Sequence, residues 1–224
     1  MITTPSKEFT GDRAYQAIKE MIFNYQLVPG QKITYDQLAE KLKMSKTPII
    51  NALNRLEQEE FVISLRNKGY FIKEIDIEEV EEMFRIREAL EMLVMEESIR
   101  NQSPEKLKEI EKAMVAHRMY RYDIATRKRL ALDAAFHLKI AEMGRNRNLT
   151  RLLKHVFEHI YVRHRSEGIS PKRLVKSAKE HQQIFEALKR RDVQKAKRLM
   201  RQHVVAGQIA TVQGIKRAAE EFTF

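Results

Sequence analysis

The chain of 224 residues has seven histidines and no cysteine. Disulfides, thiolate metal sites and cysteine nucleophiles are thereby excluded, and any metal or acid–base chemistry must use His, Asp, Glu, Ser or Lys. Spacing selects among the histidines. Asp133 and His137 stand i and i+4, adjacent on one helix face, where they can hold one cation together. His155 and His159 share that spacing but have no equally clear third partner. His181 and His203 are 22 residues apart and about equally far from an expected helix–helix turn at 190–192, so two antiparallel helices would set them side by side. Two readings follow. Asp133, His137, His181 and His203 either form one cation site in a bundle centre, or serve separate structural roles. Three imidazoles and one carboxylate suit a divalent ion such as zinc or nickel better than manganese. Open positions on such an ion suit the oxygens of a small organic acid, with an arginine clamping its far end. Arg87 is the first candidate, because it interrupts the apolar stripe of its helix; an ion pair with Glu91, one turn on, is its structural alternative. A metal-dependent hydrolase is a competing use of an open ion, but no HExxH motif supplies its base.

Helices must position these residues, and the sequence marks where they begin and end. Only seven Gly and five Pro are present, nearly all at helix ends. Ser103-Pro104 and Ser170-Pro171 each place a capping side chain before a proline at the first helical position. Asp76 with Glu79 resembles a capping box. Helices are expected at about 77–101, 104–122, 124–143, 147–167, 171–190 and 192–213. Leu149, Leu152, Leu153, Val156 and Ile160 form the kind of stripe that buries one helix face. Six such helices with short connections make an antiparallel all-α bundle over 76–224, whose interior suits a metal or ligand.

Residues 1–75 read differently. Helices at about 11–25 and 35–42, the second opened by Thr34 and Gln37, precede a third that starts after Ser45-Lys46-Thr47-Pro48 and runs to about Glu60. Two β-prone runs, 61–65 and 70–72, flank the turn Arg66-Asn67-Lys68-Gly69. Three helices and a hairpin make a winged helix-turn-helix, so the fold class is mainly α. In a DNA-binding domain of this kind the third helix would present Ser45, Lys46, Thr47, Asn51, Asn54 and Arg55 to the major groove. The wing would bring Arg66, Lys68 and Gly69 to the backbone or minor groove. Net charge is +11 for the chain, yet residues 1–75 carry 11 basic against 9 acidic side chains. Charge therefore permits a nucleic-acid reading of this domain without carrying it. A protein-binding winged helix is the bland alternative.

Pro29-Gly30-Gln31-Lys32-Ile33, Leu38-Ala39-Glu40-Lys41-Leu42, Ser45 through Ile49, Ala52 through Leu56 and Lys68 through Ile72 resemble the GntR family of bacterial transcription regulators. Arg87 through Glu91, Asp133 through His137, Asn146, and His181 through His203 resemble the all-helical FCD ligand domain of its FadR-type branch. That resemblance implies a homodimer on a palindromic double-stranded DNA operator. It also implies a metal held by Asp133, His137, His181 and His203, and an effector read by Arg87, with Asn146 at a further polar position of the family; Arg163 is an additional candidate outside that match. Asn146 reads equally well as a helix cap. The family's usual arginines are replaced here by Lys46 and Ile50, and its glutamate by Asn51, so an unusual operator is expected. A metal-free acyl-CoA sensor is the alternative within the branch. No apolar run approaches the ~20 residues that cross a bilayer, and Met1–Thr10 has no signal-peptide core, so a cytoplasmic location is expected.

Overall fold

The computed structural model describes residues 7–120, 127–163 and 169–221. Backbone contacts divide the chain into two compact units, 1–75 and 76–224. The first holds α1 (Lys7–Phe23), α2 (Tyr35–Leu42) and α3 (Lys46–Gln58), with strands β1 (Lys32–Ile33), β2 (Val62–Leu65) and β3 (Gly69–Ile72). Ile18, Ile49, Leu53, Leu56, Phe61 and Ile72 form its buried core. Thr34 Oγ1 accepts from the N–H of Gln37 at 3.2 Å, which opens α2 as anticipated. α3 starts at Lys46, ahead of Pro48, because a first-turn residue has no intrahelical acceptor to lose. α1 starts at Lys7 and stops at Phe23, where Tyr25 turns to φ 55° and the N–H groups of Gln26 and Leu27 both donate to Met21 O.

The sheet is antiparallel with order β1-β3-β2. β1 is a strand the sequence does not announce: two residues are too few for an alternating pattern, and it exists because Lys32 and Ile33 pair with Phe71 and Tyr70. Leu65 pairs with Gly69 across the hairpin, with Asn67 at φ 62° and Gly69 at φ 93°. Both need the left-handed region that Asn and Gly tolerate.

The second unit is a bundle of α4 (Ile77–Arg100), α5 (Pro104–Met119), α6 (Arg127–Met143), α7 (Arg147–Arg163), α8 (Pro171–Lys189) and α9 (Val193–Glu221). Ser103 and Ser170 cap α5 and α8 by accepting from Lys106 N and Arg173 N. Asp76 caps α4 by accepting from the N–H of Glu78, and Glu79 pairs with Arg163 at 2.7 Å. α4 packs on α6, α7 and α9, α5 on α6 and α8, and α8 on α9. Phe136, Ile140, Met95, Ile184, Leu188 and Met200 fill the centre. α5 ends at Met119, with Tyr120 already extended at ψ 148°. α9 runs eight residues past 213 because Gly214 stays helical and Ile215 beyond it is buried. The anticipated helical residues 121–122, 124–126 and 164–167 lie outside the described residues. Among the described helices none is long and apolar enough to cross a membrane.

Candidate metal centre and DNA-facing surface

α6 carries Asp133 and His137 one turn apart, and α8 and α9 carry His181 and His203. The structure brings all four together: one ligand atom from each lies within 4.8 Å of every other. His137 Nε2 and His181 Nε2 each stand 3.2 Å from His203 Nε2, and Asp133 Oδ1 stands 3.2 Å from His181 Nε2. The three histidines are buried.

The partners on the outer ring edges fix which nitrogens carry protons. His203 Nδ1 donates to Glu180 Oε2 at 2.7 Å, leaving a lone pair on its Nε2. His137 Nδ1 is 2.8 Å from Glu91 Oε1, close but out of line for a hydrogen bond, while its Nε2 accepts from Arg87 Nη2 at 3.0 Å. Two unprotonated ring nitrogens therefore stand 3.2 Å apart beside a carboxylate, with the Arg87 guanidinium as the cation next to them. That donor set suits a further positive charge, and carboxylates behind ligand histidines are the usual way of orienting them.

The protonation states agree. Burial pushes His181 down to about 4, offset only in part by Asp133, and pushes His203 well below its ordinary value. Burial works to raise Asp133, yet the hydrogen bond from His181 and the favourable electrostatics of the surrounding imidazoles hold it well below the usual carboxylate range. Neutral imidazoles and an ionised carboxylate are the forms a divalent ion binds. The residues present fit the ion.

A cavity of about 90 Å³ opens beside this cluster, lined by Arg87, Asp133 and His203 with Phe84, Leu130 and Phe157 among its apolar wall. Arg87 makes the ion pair that was its structural alternative, with Glu91 at 3.1 Å, and also lies at the cavity, with Phe157 4.3 Å from its guanidinium carbon. Asn146 and Arg163 are not brought to the cavity. Asn146 caps α7 by accepting from Leu149 N at 3.0 Å and donates to Glu97. Arg163 binds Glu79 and donates to His159 Nδ1 at 2.8 Å. His155 touches His159, and neither joins the metal cluster.

Four residues at the cavity or behind it were not singled out from the sequence. Glu180 and Arg173, on α8, pair with each other at 2.9 Å, and the i,i+7 spacing that joins them carries no signal by itself. Arg129 lines the cavity and donates to the carbonyls of Tyr120 and Leu174. His117 lies 3.9 Å from Asp133, and burial, then His181, depress it to about 3. A lone histidine near the end of α5 gives no spacing to read.

In the first unit Ser45, Lys46, Thr47, Asn51, Asn54 and Arg55 are all exposed, at the start and along one side of α3. Lys46 pairs with Asp36 of α2. Asn54 accepts from the Tyr70 hydroxyl at 2.8 Å. Arg55 is drawn back toward α1, 3.0 Å from Asp12 and stacked 3.7 Å from the Tyr15 ring centre. Arg66, Lys68 and Gly69 stand exposed at the hairpin tip, and Ile50 is half-buried.

Comparison with known proteins covers both units. Residues 10–72 match the family described as bacterial regulatory proteins, gntR family, and residues 82–206 match the FCD domain. The uncharacterized HTH-type transcriptional regulator YdhC of Bacillus subtilis (strain 168) is 29% identical over 208 residues, covering 92% of this chain and 91% of its own. The HTH-type transcriptional repressor GlaR of Escherichia coli (strain K12) is 23% identical over 201 residues, covering 85% and 90%. The solved structure of E. coli McbR/YncC shares the fold, with a TM-score of 0.72 at 19% identity over 100% of each chain.

Proposed function

Because the chain belongs to the GntR family of bacterial transcriptional regulators, with an FCD domain behind its helix-turn-helix, we propose that it is a homodimeric repressor whose DNA binding answers to a small organic acid. Its relatives are transcriptional regulators, not enzymes. The observation that carries the effector reading is the convergence of Asp133, His137, His181 and His203 at the wall of the bundle cavity. Zinc or nickel would be held by these four and would attract the oxygens of an acid. The cavity, about 90 Å³, is far below the ~300–1,000 Å³ of drug-sized sites and favours a small acid over an acyl-CoA. The repressor sense is supported by the relative named as one.

Ser45, Lys46, Thr47, Asn51, Asn54 and Arg55 would meet the major groove, and Arg66, Lys68 and Gly69 the flanking backbone or minor groove of a palindromic operator in the cytoplasm. Dimerisation is supported by the exposed apolar side chains Ile86 and Leu93 of α4 and Leu152 of α7, two helices that pack on each other. The test is an electrophoretic shift of a palindrome from beside the protein's own gene, run with zinc-loaded and chelated protein and with small acids added. Sequence-specific, salt-dependent retardation that an acid relieves only with metal present is the expected result. Equal affinity for random duplex at physiological salt overturns the DNA reading, and relief that survives chelation overturns the metal-assisted one.

A further inference from the structure

Three arginines line the cavity and are engaged to different degrees: Arg129 donates to the carbonyls of Tyr120 and Leu174, and Arg87 and Arg173 are held by side chains. Arg87 is held at two of its nitrogens, Nε on Glu91 at 3.1 Å and Nη2 on His137 at 3.0 Å with Asp133 at 3.8 Å, and its guanidinium lies over the Phe157 ring. Arg173 is held less firmly. It holds Glu180 through Nη1 alone at 2.9 Å, and its Nη2 reaches only the carbonyl of His203 at 3.5 Å. A guanidinium carries five N–H donors in a fork built for a carboxylate, so one-point pairing leaves an edge for a second anion.

Arg173 also stands where an outer groove meets the inner cavity, since both are lined by Ile169, Arg173 and Ala210. The metal cluster lies at the inner cavity's wall through Asp133 and His203. The same Glu180 oxygen that accepts from Arg173 accepts from His203 Nδ1 at 2.7 Å. Arg173, Glu180 and His203 thus form a chain from the cavity mouth to the metal cluster.

Resting on the reading of this cavity as the effector site, we propose that the effector carries two acidic groups, one for the metal end and a second that Arg173 binds. A monocarboxylate satisfies one end only and leaves the Arg173 fork to Glu180. A dicarboxylate engages both ends, and its second group draws on the arginine whose partner orients His203. Anion binding at the mouth is in this way tied to α8 and α9 and to the metal ligand they carry.

The test uses zinc-loaded, full-length protein and three pairs of acids matched in carbon number: malonate with propionate, succinate with butyrate, and glutarate with valerate. Binding is measured by calorimetry. At least one dicarboxylate is expected to bind about tenfold or more tightly than its partner, the scale of one charge-assisted pair. Arg173→Gln should bring that ratio to within about twofold. If Arg173→Gln fails to fold with Glu180 left behind it, the double variant Arg173→Gln/Glu180→Gln, which removes both charges, should show the same collapse. A wild-type ratio near one, or a ratio that the substitutions leave unchanged, overturns the proposal while the cavity remains an effector site. Failure of all six acids to bind overturns the effector reading together with it.

Discussion

Two arginines of this chain stand on the same local pattern, Arg-x-x-x-Glu on one helix face, and the two regions of the molecule make different things of it. In the helix-turn-helix unit Arg55 pairs with Glu59 at 3.3 Å and lies over the Tyr15 ring. In the bundle Arg87 pairs with Glu91 at 3.1 Å and lies over the Phe157 ring. The contacts are nearly the same. The side chain of Arg55 is 48% exposed, however, against 5% for Arg87 and 0% for Glu91. Water screens the first pair, whereas the second sits where an unpaired charge has nowhere to go. A contact list alone would rank them equal; what covers the contact decides what it is worth.

Truncation should separate the two by the largest margin. Arg87→Ala strands Glu91 in the bundle core and is expected to cost about 3–5 kcal/mol in denaturant unfolding of the metal-free protein, read on the transition of the second unit. Arg55→Ala should cost within about 1 kcal/mol on the first unit's transition. Arg87→Met/Glu91→Gln, with both charges removed, should recover a large part of the loss. Equal losses for the two single variants would break the comparison.

Acid should sharpen it next. His181 and His117 are held neutral in the folded bundle down to about 4 and about 3, but take up a proton near 6.5 when unfolded. Between those values the unfolded chain binds more protons, so stability falls as the pH falls. Each histidine contributes a slope of about 1.4 kcal/mol per pH unit. Asp133, held low, adds a loss in the same direction below the ordinary carboxylate value. Glu180, which burial raises against the pull of Arg173, works the opposite way. Chelated protein should therefore hold a level melting temperature above about pH 7 and lose it steadily below 6.5. His181→Phe should flatten that fall, and an unchanged slope would remove His181 from its cause.

The two regions also differed in how far the sequence exposed them. Helix order, caps at Ser103 and Ser170, and the Asp133/His137 turn are local patterns, legible because helical spacing is short and fixed. His181 with His203 was legible because a helical hairpin turns spacing about its bend into proximity. Glu180 behind His203, and Arg173 beside it, depend on how α8 and α9 are rotated about their axes, which no spacing encodes. β1 escaped for a related reason, since its two residues become a strand only by pairing with β3. Asn146 has a cap position that its neighbours announce, and the structure places it there instead of at the cavity wall.

The smallest effects belong to the exposed surface of α3, where they are most informative about DNA. Lys46 and Asp36 form a pair with both side chains more than half exposed, which raises the Lys46 pKa through the Asp36 contact. Neither member supports the fold, so Lys46→Ala and Asp36→Ala should leave the unfolding transition where it is. On operator DNA they should act in opposite directions. Losing Lys46 would remove the phosphate or base contact proposed for it, and if the contact is to phosphate, the slope of log affinity against log salt should shrink by about 0.9. Losing Asp36 frees the ammonium and takes a negative charge from the same surface, so affinity should rise, most at low salt. Opposite shifts place Lys46 against the duplex through electrostatics. Identical behaviour of both variants and the parent across a salt titration would instead make this pair an ordinary solvated contact and shift the reading of the operator to Asn51 and the wing.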